Sequence, residues 1–286
     1  MLEQPKVYVS AVPDDETTCI PANAVDLTHG TMGYMVNDEI NGLARPDADV
    51  SMSALAGANA SRDGGERISE RTITMDVIPL PDVRINRERL YNILPFGETR
   101  RFYVETDGRC VFIDGKIEKL GGAFKSDKLF RFGLSIRCPF PWFQSVELHT
   151  QEILAQRTST FIARNDGDIP AGFMLKNSDH FNDYSIIGLK VDVGGNAFQA
   201  NANSEDPLEN RMRSPIELVT TRGSRKFTAQ SDVPAFALIA KDSVWPQLPA
   251  GNNNVTVTTS FTWEISEEDF DKPFFHFRWR DTYSGV

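Results

Sequence analysis

The side chains able to do chemistry are few and scattered. The four histidines, His29, His149, His180 and His276, stand singly, and no pair falls at metal-ligand spacing. A catalytic triad needs a nucleophile with a base at hand, and no Gly-x-Ser-x-Gly elbow or similar signal occurs. Two carboxylates at the right separation could hydrolyse a glycosidic bond, which draws attention to Asp14-Asp15-Glu16 and Glu267-Glu268-Asp269. Both runs read as solvated surface charge. Asn165-Asp166-Gly167-Asp168 offers oxygen ligands for calcium but lacks the later glutamate of an EF-hand, so it reads as a plain turn. Cys19, Cys110 and Cys138 are too far apart for a zinc knuckle or redox motif, and read as reduced, packed thiols. These residues imply no enzyme, no cofactor and no metal.

Two further sets could recognise a partner. Trp142, Trp245, Trp263 and Trp279 could stack on sugar rings. Trp263 and Trp279 fall on alternating strands, which points to core packing, whereas Trp142 could fill a seam between domains or subunits. Arg84, Arg87, Arg89, Arg100 and Arg101 are concentrated in an otherwise acidic chain, whose 40 Asp and Glu exceed its 30 Lys and Arg for a net charge of −10. That deficit of cations argues against a general nucleic-acid binder, since gripping phosphates takes a concentrated basic surface, and leaves room for local basic patches.

The elements that must position these residues are mainly strands. At 286 residues the chain exceeds one ordinary domain, and 40% apolar residues suffice for ordinary cores. Two domains are expected, 1–148 and 149–286, with the boundary near Gln144 to Leu154. The opening stretch to Gly42 carries short apolar pieces such as Val7 to Val12. Ala44 to Glu66 is rich in Ala, Ser, Gly and Asp and reads as a long mobile loop. From Arg71, Ile73, Met75 and Val77 alternate with polar residues as in a strand buried on one face, and Pro79 and Pro81 stop it. Asp82 is placed to cap a short helix with an apolar stripe of Leu90, Ile93 and Leu94, ended by Pro95.

Asp107-Gly108 and Asp114-Gly115 then divide Arg101 to Leu120 into a three-stranded meander, because Asp-Gly accepts the positive φ of a hairpin turn. Phe130 to Cys138 alternates apolar and polar residues before Pro139 and Pro141 break it. Strands are expected at 160–163, 173–176, 184–193, 216–220, 235–240, 255–265 and 274–279. Turn signals at Asp166-Gly167, Gly194-Gly195-Asn196, Arg222-Gly223 and Gly251-Asn252 punctuate them. Asn201 to Arg213 reads as a surface loop. Many short strands with almost no helical period predict a β-sandwich. The N-terminus lacks a signal-peptide pattern and no run is long enough to span a bilayer, so no membrane insertion and synthesis in a cytoplasm are expected.

The order of these motifs resembles the distal tail proteins of long, non-contractile-tailed bacteriophages. Arg71 to Val77, following Asp63-Gly64-Gly65, is similar to that family's Arg-x-Ile-x strand. Ile93-Leu94-Pro95 leads into Phe102-Tyr103, Gly108-Arg109, Val111 to Gly115 and Ile117-Glu118. The strand Phe132 to Cys138, closing on Pro139-Phe140-Pro141-Trp142-Phe143, resembles its Cys-x-x-Pro-Trp-Phe signature. Further on, Asn165 to Pro170, Thr221-Arg222-Gly223 and Leu248 to Asn253 fall where related turns occur.

The resemblance implies a mainly β fold: an N-terminal β-rich ring-forming domain with one short helix, and a C-terminal galectin-like β-sandwich. It implies a six-subunit hub joining the tail tube to the tail-tip host-adhesion apparatus. Its partners would be further copies of itself, the tail tube protein, and the tail-tip hub or fibre and receptor-binding proteins. It would be assembled in the bacterial host cytoplasm and found at the virion tail tip. The five arginines are then candidate subunit contacts, where opposite charges fix register; the plainer reading is a solvated helix face. The alternative function is a carbohydrate-binding sandwich that attaches directly to the host surface, and a glycan hydrolase would require a close carboxylate pair in a cleft.

Overall fold

The computed structural model describes residues 4–13, 18–36, 39–46, 48–54, 61–106, 108–126, 129–178, 181, 185–201, 212–230, 234–261, 269 and 271–286. The chain divides into two compact units, Met1–Val146 with Tyr283–Val286, and Glu147–Thr282.

The first unit is built on β1 (Lys6–Ala11), β2 (Val25–Asp26), β3 (Tyr34–Val36), β4 (Ala48–Ala54), β5 (Ser61–Ile68), β6 (Arg71–Pro79), α1 (Val83–Ile93), β7 (Thr99–Thr106), β8 (Arg109–Ser126), β9 (Leu129–Cys138) and β10 (Phe143–Ser145). Its main sheet runs β2-β1-β7-β8-β9-β6-β3 through antiparallel neighbours. The period-two pattern decides which face is buried: Ile73, Met75 and Val77 of β6 and Phe132, Leu134 and Ile136 of β9 point into one core. Leu90 and Leu94 of α1 join that core, and Tyr91 meets Phe132 edge to face. The helix starts at Asp82, but not by a side-chain cap. Asp82 adopts a left-handed conformation (φ 72°, ψ 39°) and its carboxylate bonds no helix N–H. Its carbonyl accepts from Asn86 instead, 3.0 Å away.

Two expectations for this unit fail for physical reasons. Residues read as a loop from Ala44 to Glu66 include β4 and most of β5, which pair antiparallel as a two-stranded sheet apart from the main one. A ribbon outside the main sheet does not need the apolar alternation that marks a core strand. Asp114-Gly115 is not a turn: β8 runs straight through it, with Arg101 opposite Asp114 and Arg100 opposite Gly115. Glycine is required there by contact, since a Cβ would lie 2.6 Å from Ile136 Cγ2 and 2.9 Å from Cys138 Sγ. At the other signal Thr106 pairs with Arg109 and Gly108 has φ 91°, as a hairpin turn requires, while Asp107 lies outside the described residues.

The second unit contains β11 (His149–Leu154), β12 (Thr158–Asn165), β13 (Phe173–Asn177), β14 (Ser185–Val193), β15 (Asn196–Asn201), β16 (Met212–Val219), β17 (Lys226–Gln230), β18 (Gly251–Phe261) and β19 (Pro273–Trp279); β20 (Thr282–Tyr283) straddles its end. The sheet order is β11-β19-β13-β16-β14-β18-β12, with β15 on β14 and β17 on β16. Along one edge β14 changes partner: Ser185 and Ile186 pair with β16, and Gly188 to Val193 pair with β15. The strands enclose one aromatic core, in which Phe173 stacks on Phe277 at 4.4 Å and Phe198 meets Phe227. The mainly β expectation holds in both units. Residues 235–240, expected as a strand, instead open with a 3-10 helix over Ala235–Leu238. Every residue of that run is apolar, so no period could distinguish strand from helix. Strands β11, β15 and β17 were not anticipated; β11 lies in the stretch read as a boundary.

Candidate interaction surfaces

The arginine cluster separates into two groups. Arg84 and Arg89 lie exposed on α1 and Arg87 is half-buried there. Arg84 pairs with Glu88 one turn on, at 3.4 Å; such exposed pairs contribute only about 0.3 to 0.5 kcal/mol. Between and beyond these charges the helix presents Ile85 at 64% exposure, Tyr91 at 46%, and Phe96 just past its end at 64%. Arginine interleaved with exposed aromatic and aliphatic side chains has the composition of a protein contact surface, where Arg and aromatics are enriched. The helix is held rigidly: Tyr34 donates its hydroxyl proton to Asn86 O at 2.9 Å, and Gly33 (φ 89°) admits the Asn86 side chain where a Cβ would come within 2.6 Å.

Arg100 and Arg101 are committed within the fold. Arg100 donates to Ile93 O at 3.0 Å and pairs with Glu98 at 2.9 Å, joining the helix end to β7. Arg101 is 5% exposed, grips Asp114 through two hydrogen bonds of 2.7 and 2.8 Å, and lies 3.9 Å over the Phe112 ring. Strand alternation puts Arg101 on the β7 face shared with Tyr103, opposite the face that Phe102 and Val104 turn into the main core. There it is buried against Phe112, so nearness in sequence to α1 does not make it part of that surface.

A sixth arginine, at the head of β6, proves central. Arg71 is 3% exposed, and its guanidinium donates to four backbone carbonyls: Pro141 at 2.7 Å, Gly42 at 2.6 Å, Ala44 at 2.7 Å, and Ser284. It also sits 4.6 Å over the Phe143 ring. Burial pulls its pKa down to about 10, which leaves it charged at neutral pH. Asp26 is the acidic counterpart. Burial alone would raise its pKa, but hydrogen bonds from the Thr28 and His29 amides and the Thr28 and Thr31 hydroxyls outweigh burial and lower it.

Most of the remaining candidates resolve into packing, but Cys19, expected as a packed thiol, is exposed. His29 contacts Thr28 Oγ1 at 2.8 Å; His149 stacks on Trp279 and meets Asp281 at 3.2 Å; His276 is half-buried on β19. In the Asn165 turn, Asn165 Oδ1 accepts from Gly167 N, Asp166 Oδ1 accepts from Arg164, and Asp281 accepts from Asp166 N. Its oxygens face separate partners rather than one point. Among the described residues no three His, Cys, Asp or Glu side chains gather as a metal site. Burial, reinforced by Glu105, raises the Cys110 thiol to about 11; burial raises Cys138 to about 12 against the opposing effect of Arg71, so both stay protonated and unreactive. Trp142 and Trp279 are buried and Trp245 packs against Phe198. His180, Trp263, Asp14-Asp15-Glu16 and Glu267-Glu268 lie outside the described residues.

A groove of about 980 Å³ crosses β6, β8 and β9, with Glu39, Asp76, Lys119 and Arg131 among its lining. Arg131 ion-pairs with Asp76. The groove carries both carboxylates in mixed company with cations and has no histidine or cysteine in its lining. No helix among the described residues is long and apolar enough to cross a membrane.

Structural comparison gives a fold match from end to end. The Dit (gp 19.1) protein of phage SPP1, presented as a paradigm of the hub adsorption apparatus in phages infecting Gram-positive bacteria, superposes with a TM-score of 0.62 at 12% identity, covering 98% of this chain and 99% of that one. A chain of the phage P2 baseplate in its activated conformation with calcium gives 0.56 at 8% identity, over 99% and 100% of the two chains. The same baseplate with strontium gives 0.54 at 8% identity, over 96% and 98%. No protein-family profile matches the chain, and no curated protein matches it. The chain therefore shares the fold of phage hub and baseplate proteins through both of its units.

Proposed function

We propose that this chain is a structural distal tail protein of a long-tailed phage, forming a ring-shaped hub that joins the tail tube to the tail-tip host-adhesion apparatus. The observation that carries the reading is the coverage of the fold match, 98% of this chain against 99% of a hub protein, with both units included. The ordered motifs from Arg71 to Phe143 support it independently. In this reading the first unit, Met1–Val146 with Tyr283–Val286, forms the ring domain and the second, Glu147–Thr282, a galectin-like sandwich, with the tail tube protein and receptor-binding proteins as partners. The protein works by geometry, without turnover: a head-to-tail interface that closes on itself sets the number of subunits. The exposed residues on and just beyond α1, Arg84, Ile85, Arg89 and Phe96, with half-buried Arg87 beside them, form the contact assigned to the neighbouring subunit. Arg101 is left out because Asp114 holds it.

Negative-stain microscopy of the purified full chain, with mass measured by light scattering, tests the reading. Six-fold rings are expected, and a strictly monomeric protein at high concentration would overturn ring formation by this chain alone. Replacing Arg87 and Arg89 by Glu should dissolve the ring while leaving the fold intact; an unchanged mass would remove α1 from the interface. The alternative, direct attachment to host carbohydrate, finds little support in the described tryptophans, since Trp142 and Trp279 are buried and Trp245 is half-buried. Sugar affinity lost on Trp replacement would revive it.

A further inference from the structure

Residues Tyr283–Val286 follow the second unit in sequence but belong to the first. Each makes its own attachment there. The Arg109 guanidinium lies 4.6 Å over the Tyr283 ring, Ser284 O accepts from Arg71, and Val286 N donates to Leu43 O at 3.1 Å. Gly285 lies against the chain at 43–45 so closely that a Cβ would stand 3.0 Å from Arg45 N and 3.1 Å from Leu43 O. Tyr283 and Val286 also pack on the first unit's core.

Arg71 ties this segment to two others. Its fork reaches Gly42 and Ala44 on one side, Pro141 on another and Ser284 on a third. A buried guanidinium is tolerated when its donors are satisfied, and here backbone carbonyls from three separate stretches satisfy it. Remove one stretch and a charge is left short of acceptors in a dry site. The Gly42–Ala44 stretch, held from both sides by Arg71 and by residues 285 and 286, immediately precedes β4, which starts at Ala48.

We infer that residues 283–286 are a strap that completes the first unit, with Arg71 as its clasp, and that closing the strap fixes the base from which the β4–β5 hairpin departs. The first unit is then finished only after the chain has passed through the second. The base of the hairpin has two states, strapped and released, and the segment 139–143 shares them through Pro141 and Phe143. The inference rests on contacts within one chain and does not depend on the hub reading.

Hydrogen exchange read by mass spectrometry on the full chain tests it. Deleting residues 283–286 should speed exchange in peptides covering 40–46 and 139–145 by about a hundredfold, because opening there becomes local. Peptides from β13 and β18 should not change. Arg71→Lys should release the same peptides, since one compact ammonium cannot reproduce a planar fork aimed at several carbonyls. Unchanged protection at 40–46 in the deletion would overturn the inference, and so would a loss spread evenly over β7, β8 and β9. If the deletion does not fold, exchange of the intact protein in mild denaturant decides. Peptides 40–46 and 283–286 should open together with one shared dependence on denaturant; independent openings would overturn the strap.

Discussion

The two units bury their polar groups differently. In the first, three ionised side chains are sunk into the fold: Asp26 among amides and hydroxyls, Arg71 among carbonyls, and Arg101 against Asp114. In the second, neutral side chains fasten the loops. Asn165 donates to Ile169 O and Leu248 O, Asn177 bridges Ser178 O, Ser214 Oγ and Ile216 N, and Asn253 donates to Ala163 O, Pro249 O and Gly251 O. Arg280 and Asp281 are buried where the second unit ends, and there Asp281 accepts from the Asp166 amide. The difference follows from what each core offers. Phenylalanines at 173, 181, 198, 274, 275 and 277 fill the second core, so loops need only directional neutral bonds. In the first unit, segments far apart in sequence converge, and a charge with several donors or acceptors can hold many strands of chain at one point.

The contrast can be broken from the apolar side first. Phe277→Ala should cost the second unit about 3 to 5 kcal/mol, the range for truncating a buried Phe. Differential scanning calorimetry should show one transition displaced and the other in place; displacement of both would mean the units do not unfold separately. Next in size is Asp114→Asn, which leaves the buried Arg101 with a neutral partner. Because Asp114 is partly exposed, water recovers some of the loss, and the expected cost is about 2 kcal/mol, confined to the first unit's transition. Asn177→Ala should cost about 1 to 2 kcal/mol in the second unit by stranding the Ile216 amide, while Ser214 keeps its bond to Phe181 O, with no dependence on pH between 5 and 9. An effect that varied with pH there would contradict the neutral character of that knot.

The smallest effect concerns acid. Asp26 has a folded pKa lowered by its hydrogen bonds, so its contribution is fully present above the ordinary aspartate value of about 3.9 and is lost as pH falls through the folded value. The first unit should therefore weaken on acidification below about pH 4. Asp26→Asn should flatten that limb of an acid titration followed by hydrogen exchange at β1 and β2. An unaltered limb would show that Asp26 is not a significant source of the pH dependence.

What the sequence revealed was what local pattern controls. The alternation at Ile73, Met75 and Val77, the stripe containing Leu90 and Leu94, and the Gly194-Gly195 turn all require only neighbours in sequence, and each is where expected. Asp114-Gly115 misled because the glycine answers to Ile136 and Cys138, a strand away. The Asp82 position was legible while its mechanism was not, since a backbone in the left-handed region leaves no trace in a side chain that also suits an ordinary cap. For the proposed interaction surface, sequence groups five arginines by proximity, and strand geometry separates them. The exposure of Ile85 and Phe96 depends on what fails to cover them, which no periodicity records. Arg71 stood at the head of a recognised strand, but its partners at 42, 44, 141 and 284 are set by tertiary convergence alone.

The second unit's first and last long strands, β11 and β19, are paired neighbours, and His149 stands opposite Trp279 in the ladder. Entry and exit thus lie side by side, as they do in domains that evolution moves as cassettes. A different sandwich could be spliced between Val146 and Tyr283 without recutting the unit on either side. On that view the flanking sequence is a socket and the insert a separable part, and recombination at these two points would exchange one insert for another in a single step.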